Sequence, residues 1–411
     1  MNLSSSLSPS SHATPERKTP LICFSHLRWD FVLQRPQHLM GRFARERAVF
    51  FFEEFIPTDH HLAYLEIHPF EGTTVKSIRP RIPHWWSEAD RELALAKLLD
   101  DLLAMYGAAK PILWFYTPAM FSFARHVDAS AVIYDCMDEL ANFKFAPQHM
   151  KEMEAALMAR ADVVFTGGYS LYEAKRRQHD NIHPFPSGVD VAHFQSTRRN
   201  LQAPADQLSI PGPKLGYYGV IDERLDLALL ASIAKARPDY SFIIIGPVAK
   251  IAPEDLPRAD NIHYLGQKHY NELPAYLSGW DAALMPFALN SSTQFISPTK
   301  TPEYLASGRP VVSTAVKDVV RHYGHVKGVF LAADADAFAK ACDAALALKE
   351  AATDWLAPVD VMLDGSSWDK TFVAMKTLMD EAVLVNAYPT IPASQALPRA
   401  LPRTEIATVT P

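Results

Sequence analysis

Short, almost wholly apolar runs recur along this chain, and each ends in a glycine or a polar turn before residues with helical spacing take over. In order they are LICFS at 21–25, AVFFF at 48–52, ILWFY at 112–116, AVIY at 131–134 and ADVVFT at 161–166. A second series follows, with KLGYYGV at 214–220, SFIII at 241–245, IHYLG at 262–266, WDAALMPF at 280–287 and the run through Val311. A strand with one wet face alternates apolar and polar residues, whereas a strand buried on both faces does not. Helical patterns accompany the runs at 93–106, 150–160, 338–348 and 368–385. Strand, helix, strand in that order predicts parallel sheets covered on both sides, the doubly wound α/β architecture.

At 411 residues the chain is too long for one ordinary core and suits two such domains, at 20–200 and 201–367. The polar, proline-containing residues 196–213 are the expected linker. Residues 1–19, rich in Ser and Pro, and residues 387–411, rich in Pro and Thr, are expected to be disordered. A formal charge of −6 gives no general pull toward nucleic acid or an anionic membrane. Cys23, Cys136 and Cys342 are widely spaced without metal-ligand pairing, which fits a reduced compartment. No apolar run approaches a membrane span, and the N-terminus lacks a secretory apolar core, so a cytoplasmic protein is expected.

The most informative stretch is residues 286–313 (PFALNSSTQFISPTKTPEYLASGRPVVS), where a strand exit, a polar loop, a short helix and a new strand follow one another. Thr301 fits an N-cap, Pro302 the first helical position and Gly308 the residue just past the end, with Pro310 preventing continuation. Free backbone N–H groups and the adjacent Lys300 predict an anion site, and Glu303 in the same turn could accept hydrogen bonds from paired sugar hydroxyls. Pro298-Thr299-Lys300, Pro302-Glu303-Tyr304-Leu305-Ala306 and Gly308-Arg309-Pro310-Val311-Val312 together resemble the donor-binding segment of GT-B glycosyltransferases related to family 4, in a bacterial polysaccharide-type subgroup. The resemblance implies two Rossmann-like domains facing a cleft, Glu303 on the donor ribose, and a final helix at 368–386 crossing back to the first domain. It also implies donor contacts from Gly219, Gly246, Ser297, Thr299 and Thr301, with the loop at Gly246-Pro247 beside the nucleotide base. One departure is visible: the glutamate that many relatives carry eight residues before Glu303 is Phe295 here.

Other candidates lie at strand exits, where open α/β sheets bind ligands. After the first run, WDFVLQRPQHLM resembles an N-terminal signature of the same subgroup and places Trp29, Gln34 and Arg35 at the cleft. There is no G-x-G-x-x-G, so a dinucleotide-linked dehydrogenase is disfavoured. Asp135 and Asp138 follow the run at 131–134; Asp138 is the candidate general base for an acceptor hydroxyl and Asp135 its orienting partner. Gly167-Gly168 open a second helix start near Ser170 that is expected to face the cleft, and Ser187-Gly188 resemble the segment before the domain crossover. Arg224 occupies the first strand-to-helix turn of the second domain, where relatives grip the diphosphate, and a guanidinium fork suits phosphate. Asp318 and Arg321 read as solvated helix residues. The tryptophans of PRIPHWW at 80–86 either pack on a core or meet an acceptor.

The expected function is therefore metal-independent transfer of a sugar from a nucleotide diphosphate donor to a glycan or lipid-linked acceptor in envelope or exopolysaccharide synthesis. Arg224 and Lys300 meet the leaving group, Asp138 serves the acceptor, and the nucleotide sugar is co-substrate without a further cofactor. A lipid-linked acceptor would bring the enzyme to the inner face of the membrane. The alternatives are a nucleotide-sugar epimerase or hydrolase of the same fold, separable by turnover without acceptor, and a non-catalytic nucleotide-sugar-binding protein.

Overall fold

The structure, a computed structural model, describes residues 18–388 apart from 145, 200, 298, 352 and 353. The ends expected to be disordered fall almost wholly outside the described residues, as does Pro298 of the donor-type motif.

The first sheet is built from β1 (Leu21–Ser25), β2 (Val49–Glu53), β3 (Ile56–Thr58), β4 (Tyr64–Pro69), β5 (Lys76–Pro83), β6 (Ile112–Phe115), β7 (Ala131–Cys136), β8 (Val163–Thr166) and β9 (Ile182–Pro184). Its order is β3-β5-β2-β1-β6-β7-β8-β9, and every pairing is parallel except β4 on β5. The absence of alternation in β1 has a simple cause. Ile22 and Phe24 enter one core with Phe52 and Phe115, while Leu21 and Cys23 enter another with Phe51 and Trp114. Phe24 and Phe115 stack with ring centroids 4.6 Å apart. Residues 80–83, which read as a proline-broken segment, are the end of β5. On one edge Pro80 falls between the ladder with β2, which ends at Ile78, and the ladder with β3, which begins at Arg81, while on the other it lies opposite Leu65 of β4. Beyond it Trp85 is 49% exposed and joins no core cluster.

The second sheet comprises β10 (Lys214–Tyr218), β11 (Ser241–Ile245), β12 (Ile262–Tyr264), β13 (Ala282–Met285), β14 (Val311–Thr314) and β15 (Val329–Ala332). Its order, β12-β11-β10-β13-β14-β15, is parallel throughout and reverses direction between β10 and β13. Gly216 of β10 lies against Trp280, since a Cβ there would sit 2.1 Å from the indole. That indole is fully buried and donates to Gln207 Oε1 at 2.8 Å. The expected linker, 196–213, is thus not free at its described residues Thr197 and Gln207: Gln207 is fully buried, and Thr197 donates to the Pro274 carbonyl of the second domain.

The Trp368–Ala387 helix returns to the first sheet. Its Trp368, Phe372, Met375, Met379 and Ala382 pack among Leu39, Met40, Phe43 and Trp114. Gly188 serves this crossing rather than a ligand, because a side chain there would come within 2.8 Å of the Trp368 backbone nitrogen. Met379 is completely buried in the first domain's core. Met379→Ala is therefore expected to cost about 2–5 kcal/mol in a urea titration, and a variant of wild-type stability would show that the helix does not dock there.

Candidate active site

A cavity of about 420 Å³ opens between the strand exits of the two sheets. The first domain contributes Trp29–Arg35 and His38 after β1, and Met137 and Asp138 after β7. The second contributes Tyr218–Val220 and Arg224 after β10, the Gln267–Asn271 loop, and Ser297, Thr299, Lys300 and Glu303 after β13. Trp368 of the returning helix closes one side. Both reversal points, β1/β6 and β10/β13, face this space, which is where parallel sheets leave a crevice.

Lys300 and Glu303 lie on the Lys300–Ala306 helix, and both reach the cavity. Burial, reinforced by the Arg224 charge, pushes the Lys300 ammonium down to about 8. It makes no ion pair among the described residues and lies 5.8 and 5.9 Å from the rings of Tyr217 and Phe287. Gly219 permits that position: its φ is +143°, and a Cβ would meet Lys300 Cε at 2.3 Å. Burial lifts the Glu303 carboxyl to about 7, against the opposing hydrogen bond from Tyr218 Oη at 2.6 Å. Arg224 is committed to Asp222, with Nη2 2.7 Å from Oδ2 and Nε 2.9 Å from Oδ1. Burial opposes its charge, but Asp222 outweighs that and holds Arg224 above its ordinary range.

Two donor-side expectations need correction. Thr301 is not the N-cap: that position is Thr299, whose side chain makes no capping bond, and Thr301 is buried with its hydroxyl donating to Met285 Sδ at 2.8 Å. Pro302 consequently is the third helical residue rather than the first, while Gly308 does follow the helix end with φ +76°. Gly246 does not line the cavity. A side chain there would meet the Gly219 carbonyl oxygen at 1.9 Å, so its smallness serves the packing of two turns.

Across the cleft, Asp138 lines the cavity, and its carboxylate accepts no hydrogen bond among the described residues. Burial lifts it to about 6, opposed by Arg224 and Lys250. Asp135 is different. It is fully buried, absent from the lining, and bound by Arg35 Nε and Nη2 at 3.0 and 2.8 Å. Arg35 also donates to the Phe185 carbonyl at 2.7 Å and touches the cavity. The pair therefore fastens the β1 exit to β7 and holds the floor of the site, with no charge to spare for a ligand. Trp29 and Gln34 do line the cavity, and Gln34 sits at the N-cap of the Arg35–Phe43 helix.

Sequence reasoning missed several neighbours. His38 stacks on Trp368 at 4.6 Å and is pushed down to about 3 by burial, with Arg42 and His193 adding to the effect, so it is neutral. Tyr218 positions Glu303, and its place in an aromatic doublet gave no sign of it. The helix start at Ser170 is not open to an anion either. Its N–H donates to Asp318 Oδ1 at 3.1 Å, and Asp318 is only 1% exposed, so this residue read as solvated is an interdomain contact. Arg321 likewise reaches Glu173 at 2.6 Å. Phe295, at the position of the family's earlier glutamate, packs against the first domain's core. Among the described residues no three His, Cys, Asp or Glu side chains gather as a metal site would require.

Residues 212–347, which hold the second domain's side of this cavity, match the family described as "Glycosyl transferases group 1". That stretch is similar to the group 1 glycosyltransferases. The chain is 28% identical over 240 residues to TuaH of Bacillus subtilis (strain 168), named as a teichuronic acid biosynthesis glycosyltransferase; the match covers 54% of this chain and 59% of that protein's length. Among solved structures, sucrose-phosphate synthase from Thermosynechococcus elongatus superposes with a TM-score of 0.66 at 16% identity, over 90% of this chain and 100% of that one. A trehalose-phosphate synthase from Burkholderia vietnamiensis gives 0.64 at 15% identity, covering 91% and 99%. Anabaena HepE in complex with UDP and glucose gives 0.62 at 12%, covering 88% and 99%. These likenesses establish the two-domain GT-B fold.

The buried Arg35–Asp135 pair makes a testable demand. Arg35→Met leaves the Asp135 carboxylate buried without its partner and is expected to lose about 3–5 kcal/mol of stability. The double variant Arg35→Met/Asp135→Asn should recover part of that loss in the same denaturant titration.

Proposed function

We propose that this protein transfers a sugar from a nucleoside diphosphate donor to a hydroxyl of a glycan or lipid-linked acceptor in polysaccharide assembly. The observation that carries this reading is Lys300, a cation without a carboxylate partner among the described residues, three positions from the Glu303 carboxylate in a cavity between two sheet edges. A diphosphate supplies the charge Lys300 lacks, and a ribose supplies paired hydroxyls to Glu303. Arg224 reaches the same anion by exchanging or sharing its bonds with Asp222. In the displacement, the acceptor oxygen attacks the anomeric carbon and gives its proton to Asp138. The bond to the diphosphate breaks with its electron pair going to the phosphate oxygen, where Lys300 and Arg224 meet the developing charge. No metal is assigned to this step, and turnover is expected to persist in a chelator. No helix of the described residues is long and apolar enough to cross a membrane, so a lipid-linked acceptor would be met from the membrane surface.

Calorimetry with UDP, GDP, ADP and TDP tests the donor half. One nucleotide should bind, and Arg224→Ala and Lys300→Ala should each weaken it by more than about 1.5 kcal/mol, the scale of a lost charged hydrogen bond. Binding of none, or indifference to both substitutions, refutes the reading, while donor turnover that needs no acceptor would indicate a hydrolase.

The pH dependence follows from the two shifted groups. A base near 6 works only when ionised, so kcat/KM, which reports the free enzyme, should rise with pH through about 6, and Asp138→Asn should lower kcat by about 10²–10⁴-fold with nucleotide affinity retained. Lys300 loses its charge near 8, so nucleotide affinity should fall as pH is raised above that point. A flat profile in both measurements removes Asp138 and Lys300 from these roles.

A further inference from the structure

Lys250 is the one residue other than glycine with a positive φ, +61°, among the described residues. A side chain in left-handed backbone is strained where glycine would be relaxed, and such a residue persists only when its surroundings over-determine it. Here they do. The turn after β11 is tied to the turn after β10 by an Ile221–Val248 bridge and by Ala249 N–H donating to the Ile221 carbonyl at 3.0 Å. From that turn the Lys250 ammonium lies 4.7 Å from the centroid of the Phe143 ring, which belongs to the first domain. It is also 3.9 Å from Glu223 Oε1, and both carboxylate oxygens of Glu223 are buried without a hydrogen bond among the described residues. The Arg224 guanidinium approaches the same Phe143 ring at 5.8 Å.

Phe143 ends the short Leu140–Asn142 turn, which begins two residues after Asp138. The preceding Asn142 donates from Nδ2 to the Ser291 carbonyl of the second domain at 3.1 Å. The segment that carries Asp138 is therefore held on the donor domain at its far end by one hydrogen bond and by two cations on one aromatic ring. A cation over a ring face is favoured by the ring's quadrupole, and more so where water is partly excluded.

We propose that Lys250 is a positioning residue for the transfer reaction: seated on Phe143 and backed by Glu223, it pins the 138–143 segment to the donor domain and so places Asp138 across the cleft from the donor. This rests on the reading of Asp138 as the base. The charges felt by Asp138 agree with the placement. Arg224, Lys250 and Arg35 favour its carboxylate, Asp222 opposes it, and Lys300 responds to it in turn.

Four variants test this. Lys250→Met keeps the backbone and removes the charge; Lys250→Gly removes the charge and relaxes the backbone; Lys250→Arg keeps a cation; Phe143→Leu keeps apolar bulk without the ring face. Lys250→Met and Lys250→Gly should lower kcat about two- to fivefold, the effect of losing one solvent-exposed cation–ring contact, with nucleoside diphosphate affinity within about twofold of wild type. With its nearby cation gone, Asp138 holds its proton to higher pH, so the acid limb of kcat/KM should move in the alkaline direction. Lys250→Arg should restore both. Independently of any turnover, amide hydrogen exchange over residues 139–143 should accelerate in Lys250→Met and in Phe143→Leu, and the double variant should be no faster than Phe143→Leu alone. Unchanged exchange in both single variants overturns the tether whatever the enzyme does. Faster exchange with unaltered kcat and acid limb overturns the positioning role. If the wild-type chain binds no nucleoside diphosphate, faster exchange upholds the tether and overturns its link to glycosyl transfer.

Discussion

A parallel sheet buried on both faces delivers every strand exit to one edge, and in this protein two such edges face each other. The candidate site depends on that constraint. β1 and β7 deliver Trp29, Arg35 and Asp138 to one wall, and β10 and β13 deliver Gly219, Arg224, Lys300 and Glu303 to the other. Neither wall is complete without the returning Trp368–Ala387 helix, whose first residue closes the cavity and whose later residues anchor in the first domain's core.

The charged groups in this space are displaced toward neutrality by burial: Asp138 to about 6, Glu303 to about 7 and Lys300 to about 8. Three groups that titrate near neutral pH in one cavity are inexpensive to rearrange when a charged ligand arrives, because none is locked in a strong ion pair. Arg35–Asp135 provides the contrast. There the charges satisfy each other completely, and the pair serves as scaffold rather than chemistry. Arg224–Asp222 stands between the two, paired yet at the cavity wall, so an incoming phosphate has a carboxylate to compete with.

Much of the fold was legible, because fully buried strands leave unbroken apolar runs and parallel order follows from the helices between them. Lys300, Glu303 and Gly308 were legible for a related reason: a short helix between two strands is punctuated by its own glycine and prolines. What was not legible lies in long-range pairing. Nothing local tells that Asp135 is claimed by Arg35 one hundred residues earlier, or that Asp318 reaches the backbone of Ser170 in the other domain. The Thr299–Thr301 error is of another kind. Either threonine could cap the helix by sequence, and Met285 beneath Thr301 decides that this side chain turns inward. Gly246 was misread because a conformational glycine and a ligand-approach glycine look alike until the neighbouring turn is in place. The chain's single Asp-x-Asp, Asp334 and Asp336, lies at the start of the Ala335–Ala351 helix and outside the cavity lining.

The central claim is that the cavity holds a nucleoside diphosphate across the Lys300–Glu303 turn. Diffraction from crystals grown with UDP, GDP, ADP or TDP tests it most directly. The account predicts phosphate density within hydrogen-bond distance of Lys300 Nζ, the ribose against the Glu303 carboxylate, and Arg224 redirected at least in part from Asp222 to the phosphate. A nucleotide bound elsewhere on the chain, with Lys300 and Arg224 untouched, would contradict it.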